Sequence, residues 1–217
     1  IDVAKANQTI TFADPADATY GDADFSVSPT SSSGLSVTVA AAPASVCTVS
    51  DGTVHIVGAG ECTLTASQAG DDNYNSAPDV SQTFTVAKAD QTITFGALGG
   101  KTFGDAPFSV SASASSGLAV TFSSDTTGVC TVAGSTVTIV HAGLCTVRAS
   151  QAGNDDYNPA TDVTQSFTVA KADQTITFGA LGGKTYGDAP FTVSATTTSP
   201  LTRSEERRVG KECTEQC

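Results

Sequence analysis

Apolar and polar residues alternate from Gln8 to Phe12, with Ile10 and Phe12 on one face and Thr9 and Thr11 on the other. A period of two predicts a half-buried strand. A turn-rich segment ending in Tyr20-Gly21-Asp22 follows. Phe25 and Val27 then predict a second strand, and Leu35, Val37 and Val39 a third after Ser31-Ser32-Ser33-Gly34. Short strands are expected over 46–49, 54–57 and 62–67, with Asp51-Gly52 and Gly58-Ala59-Gly60 as the turns between them. A last strand carries Val80, Phe84 and Val86. No stretch has a helical period.

The pattern then starts again. Lys-Ala-Asn-Gln-Thr-Ile-Thr-Phe begins at Lys5, and Lys-Ala-Asp-Gln-Thr-Ile-Thr-Phe at Lys88 and Lys171, a constant spacing of 83 residues. Constant spacing means tandem copies of one folding unit, and this length suits one small β domain. About seven short strands per copy predict an all-β chain of tandem immunoglobulin-like Greek-key β-sandwich domains. The expected boundaries are 1–5 for the end of a preceding repeat, 6–88 and 89–171 for two whole repeats, and 172–202 for a truncated third. Ile1-Asp2-Val3-Ala4-Lys5 lines up with Phe84-Thr85-Val86-Ala87-Lys88, so the chain is expected to begin mid-array. The junction Val86-Ala87-Lys88-Ala89-Asp90 has no Gly or Ser run, which predicts closely held neighbours rather than independently tumbling ones.

The third copy keeps register as far as Leu201 and breaks at Arg203, which falls where Val120 and Val37 face inward. Cut there, it lacks the strands that would bury Phe178 and Phe191. Composition changes at the same point, to three Arg and four Glu in 203–217. Arg203 to Cys213 resembles the in-frame translation of a common sequencing-library adapter. A genuine charged tail is the alternative, and on the adapter reading 203–217 is a non-native tail that forms no part of a repeat.

Charge narrows the partners. A net charge of −12 and a pI near 4.2 leave no basic face for a phosphate backbone, so nucleic acid is not expected. No apolar run is long enough for a membrane helix, so no membrane insertion is expected in this segment.

The cysteines are the strongest local signal. Cys47 and Cys62, repeated as Cys130 and Cys145, each share a face with an apolar residue two positions on, so the thiols point inward. In a simple meander the strand around Val54 would hold them about 10 Å apart, beyond disulfide reach. Bonds Cys47–Cys62 and Cys130–Cys145 therefore require the chain to cross between sheets after Val57. Buried free thiols are the alternative, and two sulfurs without further ligands fall short of a metal site. Disulfides would place the chain in an oxidising, extracytoplasmic setting.

Little else carries chemistry. His55 corresponds to Thr138 and His141 to Gly58, and no nucleophile has a base beside it, so no catalytic residue and no enzyme is expected. Asp71, Asp72 and Asn73, with Asp155 and Asp156 in the second copy, crowd oxygen ligands into one loop that Ca²⁺ could use. A plain solvated turn is the other reading, and no other cofactor is expected. Asp22, Asp105 and Asp188 are expected to accept local backbone N–H bonds in turns. Asn7-Gln8-Thr9 fits a glycosylation acceptor, but the later copies have Asp at its first position.

The run from Ala87 to Phe108, and Gly143 to Tyr157, resembles bacterial immunoglobulin-like repeats of the MBG type, found in tandem in large exported surface proteins. That resemblance covers Ile1 to about Thr202. It implies spacer repeats of a bacterial extracellular or cell-surface adhesin-like stalk, with neighbouring repeats as partners. The alternative is a binding module that meets a surface glycan or host protein through its loops. Tyr20, Tyr74, Tyr157 and Tyr186 would be its aromatic candidates.

Overall fold

The structure, a computed structural model, describes residues 3–198. Leu201, the register break at Arg203 and the segment 203–217 lie outside the described residues. One compact unit ends at Ala170 and a second begins at Lys171.

The first copy contains nine bonded stretches: β1 Ile10–Thr11, β2 Ala18–Thr19, β3 Phe25–Ser26, β4 Thr30–Ser31, β5 Thr38–Ala42, β6 Cys47–Ser50, β7 Thr53–Ile56, β8 Gly60–Ser67 and β9 Val80–Ala87. They reduce to seven strands. Only Val27–Pro29 separates β3 from β4, so these are two paired parts of one segment. β1 and β2 are likewise one strand that changes sheets across Ala13–Asp17, where Pro15 has no N–H to give a ladder. One layer is the sheet β3-β7-β6, continued by the β1-β4 pair, and the other is β2-β9-β8-β5. All pairings are antiparallel except β2 with β9, which is parallel through Ala18–Val86 and Thr19–Ala87.

The second copy repeats this arrangement as β10 Ile93–Phe95, β11 Lys101–Thr102, β12 Phe108–Ser109, β13 Ala112–Ala114, β14 Thr121–Ser124, β15 Cys130–Ala133, β16 Thr136–Ile139, β17 Gly143–Ser150 and β18 Val163–Ala170. Its layers are β12-β16-β15 with β10-β13, and β11-β18-β17-β14. The chain is thus all-β and tandem, as the alternation predicts. The predicted strands at 46–49, 54–57 and 62–67 fall within a residue or two of β6, β7 and β8. The third predicted strand is displaced: bonding begins at Thr38 rather than Leu35. The two-residue stretches β2 and β4 were not expected.

Each copy has its own core, because each sandwich buries one face of both sheets. In the first copy Cys47, Val54, Cys62, Leu64 and Ala66 are wholly out of solvent, and Phe25 meets Phe84 edge-to-face at 5.4 Å. The second copy does the same with Val137, Val147 and Ala149, and with Phe108 against Phe167 at 5.5 Å. The third copy has one described pair, β19 Ile176–Phe178 with β20 Ala195–Thr197. Among the described residues no second sheet covers this pair, and Phe178 and Phe191 are 53% and 52% exposed.

Candidate functional site

The sandwiches of the first and second copies meet directly, and the residues that meet recur along the chain. Within each copy a glutamine holds the loop concerned, and the first of these is Gln8, whose parity with Ile10 and Phe12 sends it inward. It is 3% exposed, and with its counterpart Gln91 it makes up the buried polar side chains among the described residues. A buried amide must have its bonds satisfied. Gln91 donates from Nε2 to Gln151 Oε1 at 2.6 Å and to the Asn158 carbonyl at 2.7 Å, and accepts at Oε1 from Ser116 Oγ. Gln8 does the same with Gln68, Asn75 and Ser33. In both copies the first-strand glutamine therefore clamps the loop that leaves β8 or β17.

That loop is the acidic one. It turns at Gly153, with φ +78°, where a Cβ would run into the Tyr157 carbonyl. Asn154 Oδ1 then accepts N–H bonds from Asp156 at 2.9 Å and Tyr157 at 2.8 Å. The entering chain is tied in as well: Lys88 Nζ donates to the Asn154 carbonyl at 2.7 Å, and Ala89 pairs in parallel with Tyr157.

So fixed, the loop reaches the first copy at two points. The Tyr157 ring meets Tyr20 edge-to-face, with centroids 5.4 Å apart. Asp156 Oδ1 accepts the Ala59 N–H at 2.9 Å. Gly58 makes room for this: a Cβ there would lie 2.6 Å from the Ser45 carbonyl oxygen and 3.1 Å from Asp156 Oδ1. In the second copy His141 stands at the place of Gly58 and Gly128 at that of Ser45, and His141 Nδ1 lies 2.7 Å from the Gly128 carbonyl oxygen. The smaller and larger residues have changed sides. Phe103, at the place of Tyr20, is 44% exposed.

The sequence reading of this loop as a calcium site or a solvated turn missed its contact with the neighbouring copy. Asp71 Oδ1 serves the N–H groups of Asn73 and Tyr74, Asp156 serves Ala59, and Asp72 and Asp155 are exposed. Among the described residues no three His, Cys, Asp or Glu side chains are grouped to hold a metal ion. The sequence does carry a recurrence, with aromatic residues at 20, 103 and 186 and tyrosines at 74 and 157 in the 83-residue spacing, but it does not pair the one position with the other.

The cysteines lie together. Cys47 on β6 is bonded to Cys62 on β8, with Cα atoms 5.9 Å apart, and Cys130 on β15 to Cys145 on β17, at 5.7 Å. Each bond links the two sheets, and the chain crosses between them after Ile56. The turn aspartates act locally: Asp22, Asp105 and Asp188 accept the N–H groups of Thr19, Thr102 and Thr185. His55 lies 2.6 Å from Asp24, and the second copy has Thr138 and Pro107 at those places.

One charged group is peculiar to the second copy. Arg148 donates to both carboxylate oxygens of Asp125, at 3.0 and 2.8 Å, and to Asp162 at 3.0 Å. The hydrogen bonds to Asp125 and then Asp162 raise the pKa of Arg148. The Ser150 hydroxyl first, and Arg148 second, hold the Asp162 carboxyl below its ordinary value.

No protein-family model matches the chain, and no curated protein does. Among solved structures it is similar to Drosophila N-cadherin EC1-3, at 11% identity and a TM-score of 0.30 over 76% of this chain and 68% of that one. It is also similar to Drosophila N-cadherin EC1-4, at 11% and 0.33 over 88% and 59%. A third similar structure is surface layer protein SbsC, domains 1-6, at 14% and 0.30 over 91% and 37%. The chain therefore spans from about two thirds down to little more than a third of these structures.

Proposed function

We propose that the chain is a run of spacer repeats from the stalk of an exported, adhesin-like bacterial surface protein, with units at 6–88, 89–171 and an incomplete 172–202. The contact of Tyr157 and Asp156 with Tyr20 and Ala59 carries this reading. Each of these groups sits at a position that returns every 83 residues, so a copy with glycine at the place of Gly58 has the means to seat the next. A string on slack linkers gains reach as the square root of its length, whereas copies seated in one pose gain it in proportion. The two inter-sheet disulfides support an oxidising, extracellular location. The repeated junction motif Ala-Lys-Ala-Asp-Gln-Thr-Ile-Thr-Phe supports the MBG-type assignment. Tyr20 and Tyr157, two of the four tyrosines, are engaged with each other, which weighs against a glycan-binding aromatic cluster.

Small-angle scattering on the full chain, and on versions with one, two or three further copies of 89–171, each carrying Gly128→Ser and His141→Gly, inserted after Lys88, tests the proposal. Equal increments of maximum dimension, about 40 Å per copy along strands of this length, are expected. Increments that shrink as copies are added would defeat it.

A further inference from the structure

The second copy's loop is seated and the first copy's is open. Asp156 and Asn158 are half-buried, whereas their counterparts Asn73 and Asn75 are exposed. The open loop nonetheless holds the seated shape. Gln8 Nε2 donates to the Asn75 carbonyl at 2.7 Å, as Gln91 does to Asn158. Asp71 Oδ1 accepts from the N–H groups of Asn73 and Tyr74, both at 2.8 Å, in the role of Asn154. The entering chain also takes the same course: Lys5 Nζ reaches the Asp71 carbonyl at 2.7 Å, and Ala6 pairs in parallel with Tyr74. A surface held in its bound geometry before the partner arrives spends little ordering entropy on docking.

From this we infer that Asn73-Tyr74-Asn75 is a docking face for the far end of a preceding sandwich of this same type, joined in the same chain through Lys5. The inference rests on the spacer reading and names the surface that reading needs. The partner presents an aromatic ring at the position of Tyr20 for Tyr74, and a backbone N–H at the position of Ala59 for Asn73 Oδ1. It has no side chain at the position of Gly58. An end with His141 at that position, as in the second copy, would set an imidazole where the Asn73 side chain has to stand. The face therefore selects an end of the Gly58 kind over one of the His141 kind.

The test extends the full chain at its start by one further copy of 6–88, in register with Lys5. A parallel version carries the paired changes Ser45→Gly and Gly58→His in the added copy alone. Nuclear magnetic resonance follows the Tyr74 ring protons and the exchange rate of the added copy's Ala59 amide. With the unchanged end, an upfield ring shift and at least tenfold slower exchange are expected, and Asn73→Gly reverses the second. With the histidine end both effects are lost. If the added copy produces neither effect while Tyr20 and Tyr157 still report their contact in the same molecule, the inference falls and the spacer reading stands. If that contact is missing too, both fall. Equal docking of the two ends overturns the selectivity.

Discussion

Tyr20 and Tyr157 meet edge-to-face across the two sandwiches, with ring planes at 86°. Such a pair contributes about 0.5–1.5 kcal/mol beyond the area it buries. Tyr157→Ala is expected to let the first two copies reorient independently while each core melts as before. Nitrogen-15 relaxation would show this as shorter rotational correlation times for both. Tyr20→Phe keeps the ring edge and should change neither quantity, since Phe103 occupies the same place in the second copy.

Gly58 is a steric position. A methyl there meets the Ser45 carbonyl oxygen at 2.6 Å and Asp156 Oδ1 at 3.1 Å, and the backbone oxygen cannot swing aside. Overpacking of this kind costs roughly 1–3 kcal/mol. Gly58→Ala should lower the denaturation midpoint of the first copy and speed exchange of the Ala59 amide. His141→Gly should leave the first copy untouched.

Gln91 links a core to the contact between copies. Gln91→Leu leaves Ser116, Gln151 and the Asn158 carbonyl short of a partner, at a cost of about 1–3 kcal/mol. The same change at Gln8 should destabilise the first copy by a similar amount. Only the change at Gln91 should also loosen the Asp156–Ala59 bond, which amide exchange at Ala59 would read.

Closing a loop with a sequence separation of 15 residues contributes roughly 3 kcal/mol in the chain-entropy model. Cys62→Ala paired with Cys47→Ala is expected to cost the first copy about that much and the second copy nothing. Alkylation of the folded, unreduced chain should leave Cys47, Cys62, Cys130 and Cys145 unmodified; labelling at any of them would contradict the bonds.

Acid should separate the copies. Asp162 titrates below its ordinary value of 3.8 in the folded chain, so its contribution is present in full above that value and disappears as pH falls through the lower, folded value. The first copy has Ala42 and Thr65 where the second has Asp125 and Arg148, and so lacks the cluster. Denaturation followed copy by copy should show a steeper loss in the second below about pH 4. Arg148→Thr and added salt should both shrink the difference, as befits an exposed ion pair.

Much of the sandwich was legible because a period of two carries both strand and face. The inward cysteines, and the crossing after β7 that their bond requires, follow from alternation and the reach of a disulfide. The same parity pointed Gln8 inward, but an amide among apolar residues draws no attention until its partners at Gln68 and Asn75 are seen. β2 and β4 escaped because two-residue stretches carry no period. The contact between copies was hardest to foresee. Tyr20 and Tyr157 occupy different positions of the repeat, so aligning the copies shows each to recur without showing that one touches the other.

The parallel pairing of β2 with β9 bears on what happens when the array is pulled. The chain enters the first copy ahead of β2 and leaves after β9, so tension at the two ends drags these strands past one another along their length. The bonds around Ala18–Val86 and Thr19–Ala87, with Tyr20 N–H to the Ala87 carbonyl at 2.8 Å, are loaded together in shear rather than peeled one at a time. Once they fail, the Cys47–Cys62 bond keeps the residues it encloses from paying out, so a ruptured copy lengthens by less than its full contour and β6 stays tethered to β8.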